Sequence, residues 1–122
     1  MAQAIMIVDD SASMRQFAST VLRGAGYELI VACDGKDALP KLNGRKVHLI
    51  IGDVNVPNID GITFVKAVKN LPEHKDNPII MLTTGLIKSS REQASEPGVR
   101  AWLVKPFDKG RLLEMVGRFA LP

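Results

Sequence analysis

Four short apolar runs in the sequence end on side chains able to do chemistry. Ala4-Ile5-Met6-Ile7-Val8 runs into Asp9-Asp10, and Leu49-Ile50-Ile51-Gly52 runs into Asp53, followed by Val54-Asn55-Val56-Pro57. Pro78-Ile79-Ile80-Met81-Leu82 ends on Thr83-Thr84-Gly85, and Arg100-Ala101-Trp102-Leu103-Val104 ends on Lys105-Pro106. Three carboxylates brought to one place repel one another, and either raise a pKa or recruit a cation. A small set of hard oxygen ligands with room left for water suits Mg²⁺. Thr83 adds a hydroxyl and Lys105 a mobile positive charge, both able to hold phosphate oxygens. Together they describe a phosphoryl-transfer site with an aspartate as nucleophile. Any one of these residues alone is commonly a helix cap, a turn former or a solvated charge. Their joint occurrence on four strand ends carries the reading.

The elements that must position them follow from pattern. Short runs of aliphatic and β-branched residues bounded by turn signals suit strands buried on both faces. A fifth run, Tyr27 to Ala32, delivers no comparable residue, as expected of a strand on the sheet edge. Between the strands lie helices. Met14, Phe17, Ala18, Val21 and Leu22 recur at helical spacing, with Ser11 or Ser13 as cap and Gly24 and Gly26 as the stop. Asp34-Gly35 opens a short helix through Ala38, Leu39 and Leu42 that Asn43-Gly44 closes; Pro40 inside it predicts a kink or a late start. Asp60-Gly61 opens a third helix with Phe64, Val65, Val68 and Leu71 inward, before a polar connection to Asn77. A short polar helix is expected over 88–96, stopped by Pro97-Gly98. Asp108 caps a last helix with Leu112, Leu113, Val116 and Phe119 as its apolar positions. Five strand–helix units in strict alternation predict an α/β fold, a doubly wound parallel sheet with helices on both faces. Ligands of such open sheets bind outside the carboxyl ends of the strands, where Asp9, Asp10, Asp53, Thr83 and Lys105 fall.

Composition narrows the setting. A chain of 122 residues, 46% hydrophobic and 24% charged, is expected to form one domain over 1–122 with a core large enough to need no staples. The single cysteine, Cys33, excludes an internal disulfide, and the start of the chain leaves no room for a signal peptide. With no apolar run near the ~20 residues of a membrane span, the expected location is cytoplasmic. The net charge of +3 comes from the last third: residues 1–85 hold nine basic and nine acidic residues, residues 86–122 seven and four. That bias suits either an acidic partner drawn by charge steering or a solvated surface with chance asymmetry, and no nucleic-acid recognition motif accompanies it.

In order and spacing, Asp9-Asp10, Asp53, Thr83 and Lys105-Pro106 resemble the receiver domain of two-component response regulators, over essentially residues 4 to 120. The opening Val8-Asp9-Asp10-Ser11-Ala12-Ser13-Met14-Arg15 is most similar to the single-domain chemotaxis regulators of that family. The resemblance implies a flavodoxin-like (βα)5 fold with strand order 2-1-3-4-5. It implies that Asp53 accepts a phosphoryl group from a sensor histidine kinase. Asp10, Asp53 and the backbone carbonyl of Asn55 would hold Mg²⁺ directly, with Asp9 acting through water. Lys105 would pair with the phosphoryl group, Thr83 would swing in to hydrogen-bond it, and backbone N–H groups near Asn55 and Thr84 would complete the cradle. Trp102 is the aromatic that would turn inward as Thr83 moves. The output face would be the predicted fourth helix, fifth strand and fifth helix, which carry Lys88, Arg91, Arg100, Lys109, Arg111 and Arg118. With no effector domain after Leu121-Pro122, the implied output is protein binding by a monomer, with a flagellar motor switch protein as first candidate partner.

The chain also departs from the family. Gly52 stands before Asp53 where a larger residue is usual, which suggests either a loosened strand end or room for a partner to approach. Gly85 leaves no side chain to gate water, and Val56 replaces a usual Met. A stand-alone receiver in a phosphorelay outside chemotaxis is an alternative within the family. A flavodoxin-like small-molecule module should carry a Gly-rich phosphate loop after the first strand, where Asp9-Asp10-Ser11 is acidic. A Mg²⁺-dependent phosphohydrolase would need its acceptor on the first strand and residues for a cap. Such a receiver is not an enzyme but a phosphoacceptor switch that catalyses its own phosphorylation and slow dephosphorylation.

Overall fold

The computed structural model describes residues 3–53, 61–83, 99–105 and 107–120, without the side chains of residues 62 and 83. Asn55, Thr84, Gly85, Pro97 and the helix expected over 88–96 lie outside the described residues. Five strands, β1 (Ala4–Val8), β2 (Glu28–Ala32), β3 (Leu49–Asp53), β4 (Ile79–Thr83) and β5 (Val99–Val104), form one sheet. All pairs are parallel, in the order β2-β1-β3-β4-β5. This is the doubly wound, flavodoxin-like architecture expected from the sequence, with β2 on an edge. Every residue of the inner strands β1 and β3 is buried, which is why their sequences are near-continuous apolar runs without polar alternation.

Two cores fill the sheet's faces. On one, Met6, Val8, Ile50, Ile79 and Met81 pack with residues of α2 (Gly35–Leu42) and α3 (Gly61–Lys69), including Ala38, Leu42, Phe64, Val65 and Val68. On the other, Ile5, Ile7, Leu49, Ile51, Ile80, Leu82 and Leu103 pack with α1 (Ala12–Gly24) and the final helix, α4 (Lys109–Phe119). Alternate residues of each strand thus feed opposite cores, as the pleat requires.

Helix starts follow from capping chemistry. Ser11, not Ser13, caps α1, its side chain accepting from the Met14 N–H, while Asp34 caps α2 and Asp108 caps α4 in the same way. Gly44, just past α2, has φ +72°, a left-handed conformation that explains a glycine there. Three local expectations need correction. The second helix does not start late: it begins at Gly35, and Pro40 sits inside its last turn, two residues before the helix ends at Leu42. Phe17 is not part of the buried face of α1; it is 36% exposed and its ring lies 6.2 Å from that of Phe107. Gly52 does not loosen β3, which stays paired through Asp53; an added Cβ would make ordinary contacts with Phe64 and Met81 at 3.7–3.8 Å.

The polar connection before β4 hides a buried anchor. His74 is 2% exposed; its Nδ1 faces Asn77 Oδ1 and its Nε2 faces the Leu42 carbonyl, both at 2.8 Å. The Asn77 amide donates to the Val47 carbonyl, and Lys69 Nζ donates to the Asn77 carbonyl. The cluster ties α2, α3 and the approaches to β3 and β4 together. His74→Phe would remove both ring nitrogens, and with them the polar link between the buried Leu42 carbonyl and the Asn77 side chain. We expect a loss of about 2 kcal/mol, read by urea denaturation as a lower midpoint at unchanged slope.

Candidate functional site

The parallel sheet delivers its chemistry at one end. Asp9 and Asp10 follow β1, Asp53 is the last residue of β3, and Lys105 follows β5 directly. One carboxylate oxygen from each of Asp9, Asp10 and Asp53 lies within 4.8 Å of the others, close enough to hold a single metal ion. Lys105 Nζ bridges two of them, 2.9 Å from Asp9 Oδ2 and 2.5 Å from Asp53 Oδ2. Burial works against its charge, but the bonds to Asp53 and then Asp9 outweigh that, so the ammonium is held above the ordinary lysine value of 10.5.

The three acids are not equivalent. Asp9 is fully buried, and both its oxygens are committed, Oδ1 to the Ser11 N–H at 2.9 Å and Oδ2 to Lys105. Asp53 is nearly buried, whereas Asp10 is exposed. Asp9 is therefore a fixed part of the cluster's frame, while Asp10 opens it to solvent.

Thr83 ends β4, and its backbone pairs with Val104, one residue before Lys105, so the strand reaches the same end of the sheet. Its side chain, and Asn55 and Thr84 entirely, lie outside the described residues. Trp102 pairs with Met81 on β4 and is partly buried against the core beneath α2 and α3. It stands two residues before Val104, the partner of Thr83.

One contributor escaped sequence reasoning. Arg15, in the first turns of α1, donates from Nη1 to the Asp9 backbone carbonyl at 2.7 Å. Its place one turn after the capping serine, with Asp9 just ahead of that cap, was the available signal. It clamps the acidic turn to the helix and adds positive charge at the edge of the cluster. The basic residues expected on the output face also divide. Arg111 and Arg118 both pair with Glu114 at 3.1 Å, and Arg100 lies at the opposite, amino-terminal end of β5.

Comparison with known proteins agrees with this architecture. The protein PilG of Pseudomonas aeruginosa is 35% identical over 111 residues, covering 89% of this chain and 81% of PilG. The solved structure of the chemotaxis response regulator CheY4 of Vibrio cholerae superposes with a TM-score of 0.91 at 40% identity, covering 99% of this chain and all of that one. The receiver domain of the sensor histidine kinase PA1611 from Pseudomonas aeruginosa, solved with a magnesium ion coordinated in its active-site cleft, gives 0.90 at 25% identity, with 98% of each chain covered. Residues 5–117 match the response regulator receiver domain family. With nearly its whole length matched and the acidic cluster at the carboxyl ends of β1 and β3, the chain belongs to the response regulator receiver domains.

Proposed function

We propose that the chain is a phosphorylation-dependent switch in which Asp53 accepts a phosphoryl group from the phosphohistidine of a sensor histidine kinase. The observation that carries this reading is the placing of Asp53 at the end of β3, with Lys105 on its Oδ2 and two further carboxylates within 4.8 Å. An Asp53 oxygen forms the new bond to phosphorus as the phosphorus–nitrogen bond breaks and the imidazole leaves with the electron pair. Lys105 then holds a phosphoryl oxygen in place of the carboxylate charge it now neutralises. The Thr83 hydroxyl donates to another phosphoryl oxygen, and backbone N–H groups at Asn55 and Thr84 complete the cradle.

The donor set fits Mg²⁺: hard carboxylate oxygens, one of them solvent-facing, with space for water. Asp10, Asp53 and the Asn55 carbonyl would hold the ion directly and Asp9 through water, in keeping with the commitment of both Asp9 oxygens. When bound, the ion offsets negative charge on the phosphoryl oxygens. We expect Mg²⁺ to raise the thermal midpoint of the protein, because it relieves carboxylate repulsion in the folded state only. Asp10→Asn should raise the metal-free midpoint and weaken Mg²⁺ binding roughly tenfold or more, since one charged ligand is gone. A variant that keeps the full Mg²⁺ response would remove Asp10 from the ligand set.

Movement of Thr83 towards the phosphoryl group would let Trp102 turn inward, changing the face built on β5 and its neighbouring helices for a protein partner. The relationship to CheY4, a chemotaxis response regulator, favours a chemotaxis or flagellar target for a cytoplasmic, monomeric switch. The test uses wild-type protein with Mg²⁺. Acetyl phosphate should add one phosphoryl mass, and a beryllofluoride mimic should change the fluorescence of Trp102, the only tryptophan. No mass gain would overturn the phosphoacceptor reading; a gain with unchanged fluorescence would overturn the role of Trp102.

A further inference from the structure

The carboxyl ends of the strands hold the acidic cluster, and their amino ends carry an unrelated basic one. His48, Pro78, Arg100, Arg118 and Phe119 line a cleft of about 200 Å³ there. Its central residue is placed by an irregularity in the sheet. Val99 pairs with Ile79 and Ala101 with Ile80, so Arg100 is the extra residue of a β-bulge. Val99 accordingly packs on one core and Ala101 on the other, although the residues are two apart in one strand. A bulge of this kind re-aims the extra side chain, and Arg100 is left exposed on the cleft.

The charge around it is unbalanced. Among the described residues Arg100 makes no ion pair, and Arg118 shares the single carboxylate of Glu114 with Arg111. Lys69 is pushed below the ordinary lysine range, first by burial and then by the positive charge of Arg100, while Asp76 pulls the other way. His48 adds a directed donor: its Nδ1 accepts the Ala4 N–H at 3.0 Å, which leaves the ring proton on Nε2.

We propose that this cleft binds a small oxyanion, a carboxylate or phosphate group gripped by Arg100 and Arg118 and hydrogen-bonded by His48, with Phe119 and Pro78 against any apolar remainder. Guanidinium forks match the geometry of both groups. The volume is below the roughly 300 Å³ at which drug-sized ligand pockets begin, so it suits an end group rather than a nucleotide.

The test titrates metal-free wild-type protein with inorganic phosphate and, separately, with benzoate. Ionic strength is held constant with chloride, and the His48 ring and arginine side chains are followed by NMR. Saturable shifts at His48 are expected. Saturation by phosphate alone assigns a phosphate site, by benzoate alone a carboxylate site, and by both a general oxyanion site. Arg100→Gln and Arg118→Gln should each weaken binding roughly tenfold. Both side chains are exposed, so neither change threatens folding. Lys75→Gln, an exposed charge in the connection before β4, should leave the affinity unchanged. Shifts that rise linearly with both anions, or an equal loss in the Lys75 variant, would show unspecific charge attraction and overturn the proposal.

Discussion

Asp53→Asn will abolish phosphoryl uptake from acetyl phosphate while the protein stays folded. The amide has no nucleophilic oxygen of carboxylate strength, so the rate should fall by at least about a hundredfold. Among the described residues, neither of the two neighbouring carboxylates is placed to take over. Asp9 is fully buried with both oxygens engaged, and Asp10 is exposed without a bond to Lys105. Stability should change little, because two effects oppose each other. The substitution weakens one of the two bonds that Lys105 makes, and it also removes one of three mutually repelling charges. Intact-mass measurement before and after acetyl phosphate checks the first point, and a thermal melt the second. A mass gain that survives the substitution would move the acceptor role elsewhere.

The second large effect concerns Lys105. Lys105→Met leaves the buried Asp9 and the nearly buried Asp53 without their shared cation. Breaking a buried ion pair by removing one partner costs 3–5 kcal/mol. The Lys105 side chain keeps 24% of its surface in solvent, so we expect the low end, about 3 kcal/mol at neutral pH. The pH dependence has a defined sign. The lysine is held above its ordinary value of 10.5 in the folded state, so its contribution is complete below 10.5. It is lost as pH rises through the raised folded value. Wild type and variant should therefore differ by a constant amount between pH 7 and 10 and converge only beyond. Urea denaturation across that range measures it. Convergence near neutrality would mean that the lysine is not the counter-charge.

The fold was legible because its inner strands are buried on both faces: Ile5 to Val8 and Leu49 to Ile51 can be little else than inner parallel strands. The acidic cluster was legible for a related reason, since a carboxylate ending such a run must leave the sheet at its carboxyl edge. What escaped depends on partners distant in sequence or on pattern broken by one residue. His74 and Asn77 read as ordinary loop residues because their partners, Leu42 and Val47, lie 30 or more positions away. Arg100 read as one more charge on an output face because a bulge leaves no mark in residue types. Phe17 fits the apolar spacing of α1, yet it pairs with Phe107 near the surface rather than joining the core.

The bridge made by Lys105 also has a temporal side. It joins Asp9 to a residue 96 positions later, close to the full reach of the chain, and Asp53 to one 52 later. Closing so long a loop is entropically slow, and β5 is an edge strand with a single neighbour. A nascent or truncated chain that ends before β5 therefore carries three carboxylates without the Lys105 ammonium that bridges two of them. The acidic end of the sheet would be the last part of the molecule to settle and the first to open, so ordering of the cluster waits on the docking of β5.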